Sequence, residues 1–365
     1  MISLYLHIPF CRQKCLYCSF YSLTDFDKSE YIDAIIRCVQ YFGKKSGANA
    51  AVSDYRADTV YIGGGTPSVL PPELLYRLFD AVCRNFDIEK NAEITVEANP
   101  ESCGSEFLYA AKSMGVNRLS LGVQSFDDKE LRAVGRVHTA AQAAEAVTLA
   151  RRAGFNNISC DLIFGLPGQT DKSFENSLKT LVGLDIEHIS CYNLQVEDGT
   201  PLKKAGVLVP GEEQQEKMYF LACEFLADRG YGHYEISNYA KRGFESRHNS
   251  AYWTGKDYLG LGPAAHSKIG DMRCSFLPDI GRFCLKDDFE FDISERIDDP
   301  LFEKIMLSLR TEKGIEMSLL KNSGKFIVCL LESGYAVVEN GILRLTDRGF
   351  YLSNSIIAEL AAREC

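Results

Sequence analysis

Leu4-Tyr5-Leu6-His7-Ile8-Pro9-Phe10-Cys11-Arg12-Gln13-Lys14-Cys15-Leu16-Tyr17-Cys18-Ser19-Phe20 runs from a β-rich segment straight into three closely spaced cysteines. The apolar start reads as a strand, and the C-x3-C-x2-C loop follows it directly. Such a loop supplies three thiolates, whereas a cubane iron–sulfur cluster has four irons. One iron is then free to chelate an exogenous ligand, as an open zinc site does. Zinc itself needs a fourth protein ligand, and no nearby Cys or His offers one. Coincidence is a weak rival: with 13 cysteines in 365 residues, composition alone yields on the order of 0.02 such spacings.

Outward from this loop, short β-rich runs alternate with amphipathic helical stretches. Strands are predicted at 4–8, 59–62, 93–97, 118–122, 159–164 and 188–194, with helices near 29–42, 72–86, 105–114, 139–153 and 171–184. Strand, crossover helix, strand, repeated about six times, means an α/β fold with a parallel sheet. Six such units make a partial (β/α)6 barrel with its chemistry at the C-terminal strand ends, or an open doubly wound sheet. A further helix is predicted at 211–230, a polar and aromatic loop region at 231–262, and a linker-like segment at 278–300. Beyond it, two helices, a hairpin around Asn340-Gly341 and a last helix suggest a small winged-helix-like α/β unit. The expected division is therefore 1–210 for the barrel core, 211–299 for a connecting region and 300–365 for the C-terminal unit.

The bulk numbers describe an ordinary globular protein, with 46% hydrophobic and 25% charged residues. No apolar run is long enough to cross a bilayer, and the N-terminus lacks the features of a signal peptide, so a cytoplasmic location is expected. A formal net charge of −10 argues against nucleic acid as a partner, and the C-terminal unit has no basic stripe. In a cytoplasmic chain, thirteen cysteines mean a metal site plus buried thiols; Cys38, Cys83, Cys160, Cys191, Cys223 and Cys329 sit singly in apolar patterns and read as core residues.

Candidate binding residues gather at the predicted strand ends. Gly63-Gly64-Gly65-Thr66-Pro67 follows the second strand and lets the backbone approach a ligand closely. Glu97 ends the third strand, where a carboxylate can accept hydrogen bonds from a ribose or an ammonium group; the bland alternative is a solvated strand-end charge. Gln124 ends the fourth, Arg136 follows it with a fork suited to a carboxylate, and Asp161 is a charge in an apolar strand, expensive unless paired.

These strings resemble the radical S-adenosylmethionine (SAM) superfamily, and over nearly the whole chain its coproporphyrinogen III dehydrogenase-like branch. The resemblance implies a partial (β/α)6 radical SAM barrel, one 4Fe–4S cluster on Cys11, Cys15 and Cys18, and SAM at the open iron, cleaved by the superfamily to a 5′-deoxyadenosyl radical. It also implies that Tyr5, Gly64, Gly65, Thr66, Glu97, Gln124, Arg136 and Asp161 contact SAM, with Tyr17 against the cluster through its backbone.

The branch holds two functions. The dehydrogenase has C-x3-C-x2-C-x-C, where this chain has Phe20, and carries an extension before the first strand. Both departures resemble the HemW-like heme chaperones, as does the H-N-x-x-Y-W signature in Arg247-His248-Asn249-Ser250-Ala251-Tyr252-Trp253. That likeness implies heme as a ligand and heme-acceptor apo-proteins, membrane-associated ones included, as partners. His248 is the expected axial ligand, Tyr252 and Trp253 the flat apolar surface, and Arg247 a propionate partner. The alternative for His248 is a structural histidine, and His7, His138 and His266 stand as other candidates. The rival functions are radical decarboxylation of coproporphyrinogen III and a non-catalytic Fe–S scaffold.

Overall fold

Ile2, Leu4, Leu6 and Ile8 are fully buried, and so are Ser3 and His7 between them. A strand buried on both faces needs cover on both sides. In the computed structural model, which describes residues 1–43 and 56–365, one side is helical and the other is the inside of a barrel. Six strands, β1 (Ile2–Ile8), β2 (Arg56–Gly64), β3 (Asp87–Ala98), β4 (Arg118–Gln124), β5 (Ile158–Phe164) and β6 (His188–Asn193), lie side by side in chain order. All five pairings are parallel. The order never reverses, so the sheet is a barrel-type arc and not a doubly wound sheet.

Helices Lys28–Phe42, Pro72–Asn85, Ser105–Ser113, Ala140–Arg152 and Asp171–Gly183 match the expected crossovers closely. The starts of three of them are encoded by capping side chains. Asp27 caps the first helix, while Thr139 with Gln142 and Thr170 with Ser173 form capping boxes. Along each strand, residues pointing at the helices are apolar, such as Leu119, Leu121 and Val123. Those pointing inward are largely polar: Ser3, Tyr5 and His7 on β1, Thr95 and Glu97 on β3, Arg118 and Ser120 on β4, Ser159 and Asp161 on β5. A polar barrel interior is the feature that positions the site.

The segment expected as a polar loop, 231–262, is structured. It contains β7 (Gly232–Glu235), β8 (Asn238–Ala240), a helix Arg247–Trp253 and β9 (Tyr258–Leu261). β8 pairs antiparallel with β6, and β9 pairs parallel with β1, so the two ends of the arc each gain strands. β10 (His266–Ile269), β11 (Met272–Ser275) and β12 (Ile293–Arg296) extend the β9 side into a twelve-stranded sheet. The expected linker at 278–300 likewise contains β12 and a short helix, Ile280–Cys284. These elements are three to seven residues long, too short to show a period.

In the C-terminal unit, β13 (Ile315–Glu316), β14 (Ala336–Glu339) and β15 (Ile342–Leu345) form a small antiparallel sheet among helices Pro300–Ser308, Gly324–Glu332 and Ser353–Glu364. Asn340 and Gly341 both adopt positive φ (51° and 77°), the two-residue hairpin turn predicted for them. Asp347 ties this unit to the barrel: its carboxylate accepts from His233 Nδ1 at 2.7 Å and its carbonyl from Tyr219 at 3.0 Å.

Candidate cofactor site at the strand ends

The cysteine loop is pinned from several sides. Cys11 N–H donates to Leu23 O (2.9 Å), and Leu16 N–H donates to Val134 O (3.0 Å). The glycine loop is laced to it: Gly65 N–H donates to Ile8 O at 2.8 Å and Thr66 N–H to Phe10 O at 2.7 Å. A Cβ on Gly65 would stand 2.7 Å from Phe10 O, and one on Gly64 only 2.5 Å from the His7 ring. Gly64 also has φ +112°, so its lack of a side chain is required twice over. His7 is itself fixed, accepting from Tyr5 Oη at 2.9 Å on Nδ1 and donating from Nε2 to Tyr21 O at 3.0 Å. Burial keeps it neutral, lowering its pKa to about 4.

Cys11, Cys15, Cys18, Tyr17, Gly64, Gly65, Thr66, Glu97, Gln124, Arg136 and Asp161 all line one cavity of about 530 Å³. Two predicted residues do not. Tyr5 lies in the wall behind it, its ring beside Tyr61, and His248 is elsewhere. Three thiols on one wall, with no fourth cysteine or histidine lining the cavity among the described residues, are the donor set of an open-iron cluster. Their neighbours are hydrogen-bond donors, as thiolates require. Thr66 Oγ1 donates to Cys11 Sγ and Arg136 Nη1 to Cys15 Sγ, each at 3.4 Å. Burial raises the Cys11 and Cys18 thiols above their ordinary pKa.

Asn99, which the sequence reading passed over, joins these donors. Its Nδ2 donates to Thr66 Oγ1 and its Oδ1 accepts from Arg136 Nη2, both at 2.9 Å. Cys11, Thr66, Asn99, Arg136 and Cys15 thus form one chain of contacts across the cavity floor. Asn99 lies two residues beyond Glu97 on the same inward face, and that alternation is the signal that could have found it.

Opposite the thiols stand two acids. Glu97 accepts from Tyr61 Oη at 2.7 Å and from Gly64 N–H at 3.0 Å. Burial nevertheless pushes its carboxyl up to about 7, and burial pushes Asp161 up to about 6. Gln124 has φ +67° beside a register break in the β4–β5 pairing. A non-glycine residue in that region is costly and marks a backbone bent to aim a side chain.

His248 sits at the other end of the barrel. It is 1% exposed, its ring accepts or donates to Thr59 Oγ1 and Tyr252 Oη at 2.8 Å each, and it stacks on Tyr61. Both ring nitrogens are engaged, and burial lowers the pKa to about 3. The Glu93 carboxylate accepts from the Arg247 and His248 amides at the start of the same helix. Tyr252 packs edge-on against His248 and Tyr258, and Arg247 donates to Asn91 O. The ring is thus engaged as in the structural-histidine alternative, and the signature plugs the N-terminal end of the barrel. His7 and His138 are also bonded internally, and His266 is exposed.

The Radical SAM superfamily profile matches residues 5–181. Heme chaperone HemW of Lactococcus lactis is 34% identical over 97% of this chain and 96% of its own length. The HemW of Bacillus subtilis is 35% identical, again over 97% and 96%. This chain belongs to the HemW family of radical SAM proteins. Among solved structures, coproporphyrinogen III oxidase (HemN) from Escherichia coli superposes with a TM-score of 0.84 at 24% identity, covering 99% of this chain and 90% of that one. That likeness confirms the radical SAM barrel and its C-terminal extension. Radical SAM membership brings with it a 4Fe–4S cluster and SAM, and the donor set described above fits both. No described helix is long and apolar enough to cross a membrane.

Proposed function

We propose that this HemW-family protein is a cytoplasmic heme chaperone, which binds heme and passes it to acceptor apo-proteins. The observation that carries this reading is likeness over almost the full length to relatives named heme chaperones. The position of Phe20 supports it. Where the dehydrogenase pattern has a fourth cysteine, this chain sets a 70% exposed phenyl ring on the cavity rim, near the half-exposed ring of Tyr192. Exposed rings at a cavity mouth suit an apolar macrocycle better than they suit water.

Within this reading Cys11, Cys15 and Cys18 hold the cluster, which supplies one-electron chemistry and a coordination position for SAM when bound. Thr66 and Arg136 donate to thiolate sulfur, and Asn99 holds both donors in place. Gly64 and Gly65 present backbone close to the ligand, while Gln124, Glu97 and Asp161 meet its polar groups. A cationic ligand favours the ionised form of a carboxyl whose pKa lies near 7, so SAM uptake at neutral pH releases a proton from Glu97. Tyr5 acts from behind, by holding His7.

The test is titration of the anaerobically reconstituted protein with heme, followed by absorption and by transfer to an apo-hemoprotein. Parallel samples receive SAM, reductant and coproporphyrinogen III. Saturable one-to-one heme uptake, transfer and intact coproporphyrinogen are expected. Decarboxylation with only non-specific heme uptake would replace the chaperone by the dehydrogenase, and failure to bind SAM would leave a scaffold.

A further inference from the structure

Ser120, Gly122 and Gln124 line the cavity. By strand alternation Arg118, two residues before Ser120, faces the same interior one layer down. The register agrees, pairing Ser120 with Glu97 and Arg118 with Thr95 below it. The Arg118 residue is 1% exposed, and its Nε has no hydrogen-bond partner among the described residues. A buried guanidinium in this state costs several kcal/mol unless nearby anions offset it.

The groups below Arg118 do not. His188 is bonded to Ser159 and Tyr234, and His248 to Thr59 and Tyr252. Both rings are kept neutral, first by burial and then by the Arg118 charge itself. Glu93 is the anion on that side, and it is shared with two helix amides at the far end of the barrel. Above Arg118 lie Glu97 and Asp161. Burial raises both; hydrogen bonds from Tyr61 and the Gly64 amide lower Glu97, and one from Ser190 lowers Asp161. The charge of Asp161 raises Glu97, and Arg118 lowers each, joined by Arg136 at Asp161. The other titratable groups facing the pair are the hydroxyls of Tyr5, Tyr61, Tyr192 and Tyr252, all held protonated by burial.

We propose that Arg118 is a positioning residue for SAM: from beneath the pocket its charge holds the Glu97 and Asp161 carboxylates side by side, ready to meet a cationic ligand. The guanidinium touches neither SAM nor the cluster. It makes the two-acid side of the pocket tenable, and the acids in turn offset the cost of its burial. This inference rests on the assignment of the cavity to SAM.

The experiment measures the SAM dissociation constant of the anaerobically reconstituted full chain by calorimetry, between about pH 6 and pH 9. Wild-type affinity is expected to weaken below about pH 7, where Glu97 takes up a proton. In Arg118→Met the midpoint moves up, so that affinity below it falls about threefold or more and recovers at higher pH. Arg118→Lys, which keeps the charge, stays within about threefold of wild type. A Met variant whose profile superimposes on wild type, while Glu97→Gln and Asp161→Asn weaken SAM, overturns the inference. Should the Met variant fail to fold, Lys decides it: folded protein whose lost SAM affinity does not return at high pH also overturns the role of charge. If Glu97→Gln and Asp161→Asn leave SAM affinity unchanged, the assignment of the pocket fails first.

Discussion

Replacing His248 by Gln tests the plug at the lower end of the barrel. The imidazole satisfies two buried hydroxyls and stacks on Tyr61. Gln replaces one of those bonds at most, and an orphaned buried hydroxyl costs about 1–3 kcal/mol. With the lost ring packing, a destabilisation of about 3 kcal/mol is expected near neutral pH. That figure must shrink in acid. The folded-state pKa of His248 is about 3, whereas an unfolded histidine titrates near 6.5. Between those values the unfolded chain binds the extra proton, so wild-type stability falls as pH drops below about 6.5. By about pH 5 this histidine alone has cost wild type about 2 kcal/mol, and Gln is exempt. The gap between the proteins should therefore narrow to about 1 kcal/mol. His7 loses stability in the same window, while Glu97 and Asp161, whose folded pKa values are raised, gain it as pH falls. All three are present in both proteins and cancel in the difference. Trp253, the single tryptophan, ends the same helix and reports on it by fluorescence during urea unfolding. A gap that stays constant between the two pH values, or is negligible at both, would refute the buried neutral plug.

Cys15→Ser should reduce iron in the reconstituted protein from about four atoms per chain to under one, while Cys191→Ser, in the core, leaves it unchanged; full iron content in Cys15→Ser would remove the cysteine from the ligand set. Gly64→Ala forces a Cβ to 2.5 Å from the His7 ring at φ +112° and should cost about 1–3 kcal/mol; an unchanged thermal midpoint would show that the loop relaxes freely. Asn99→Leu breaks the link between Thr66 and Arg136 and should raise the SAM dissociation constant about tenfold at constant iron content; equal affinity would make Asn99 a bystander.

How much of this was visible beforehand depended on local signals. The crossover helices carry their own stop and start residues, and the structure places 140–152 and 171–183 within a residue or two of expectation. The cysteines, the glycines and the strand-end charges converge on one cavity because parallel strands with right-handed crossovers bring every C-terminal end to the same side. Asn99 escaped because an uncharged amide announces no chemistry until its partners are known. The strands from β7 to β12 escaped because each is only three or four residues long, and the pairings of β8 with β6 and of β9 with β1 that join them to the barrel come from segments distant in sequence. His248 was singled out by its motif, but the end of the barrel it occupies was not legible in the sequence. A motif states which residues travel together, not which mouth of a barrel their helix crosses, and only the pairing of β9 with β1 fixes that.

The division of labour between the two ends follows from strain. The upper end carries the positive-φ positions Gly64 and Gln124 and a register break between β4 and β5; β1–β2 and β2–β3 have breaks of their own near their lower ends. A non-glycine residue at positive φ, as Gln124 is, costs about 1–3 kcal/mol and persists only where the surroundings over-determine it. The lower end provides that determination, since His248 bonds to β2 through Thr59 while the amides of its helix bond to β3 through Glu93. Thr59 pairs with Glu93 in the sheet, so the plug clamps neighbouring strands at one level. Five residues or fewer above that level, the same two strands deliver Gly64 and Glu97 to the cavity. A signature far from the cysteines thus has a physical reason to govern the cofactor site without touching it. It fixes the spacing of the strands whose upper ends must hold a strained loop against a buried carboxylate.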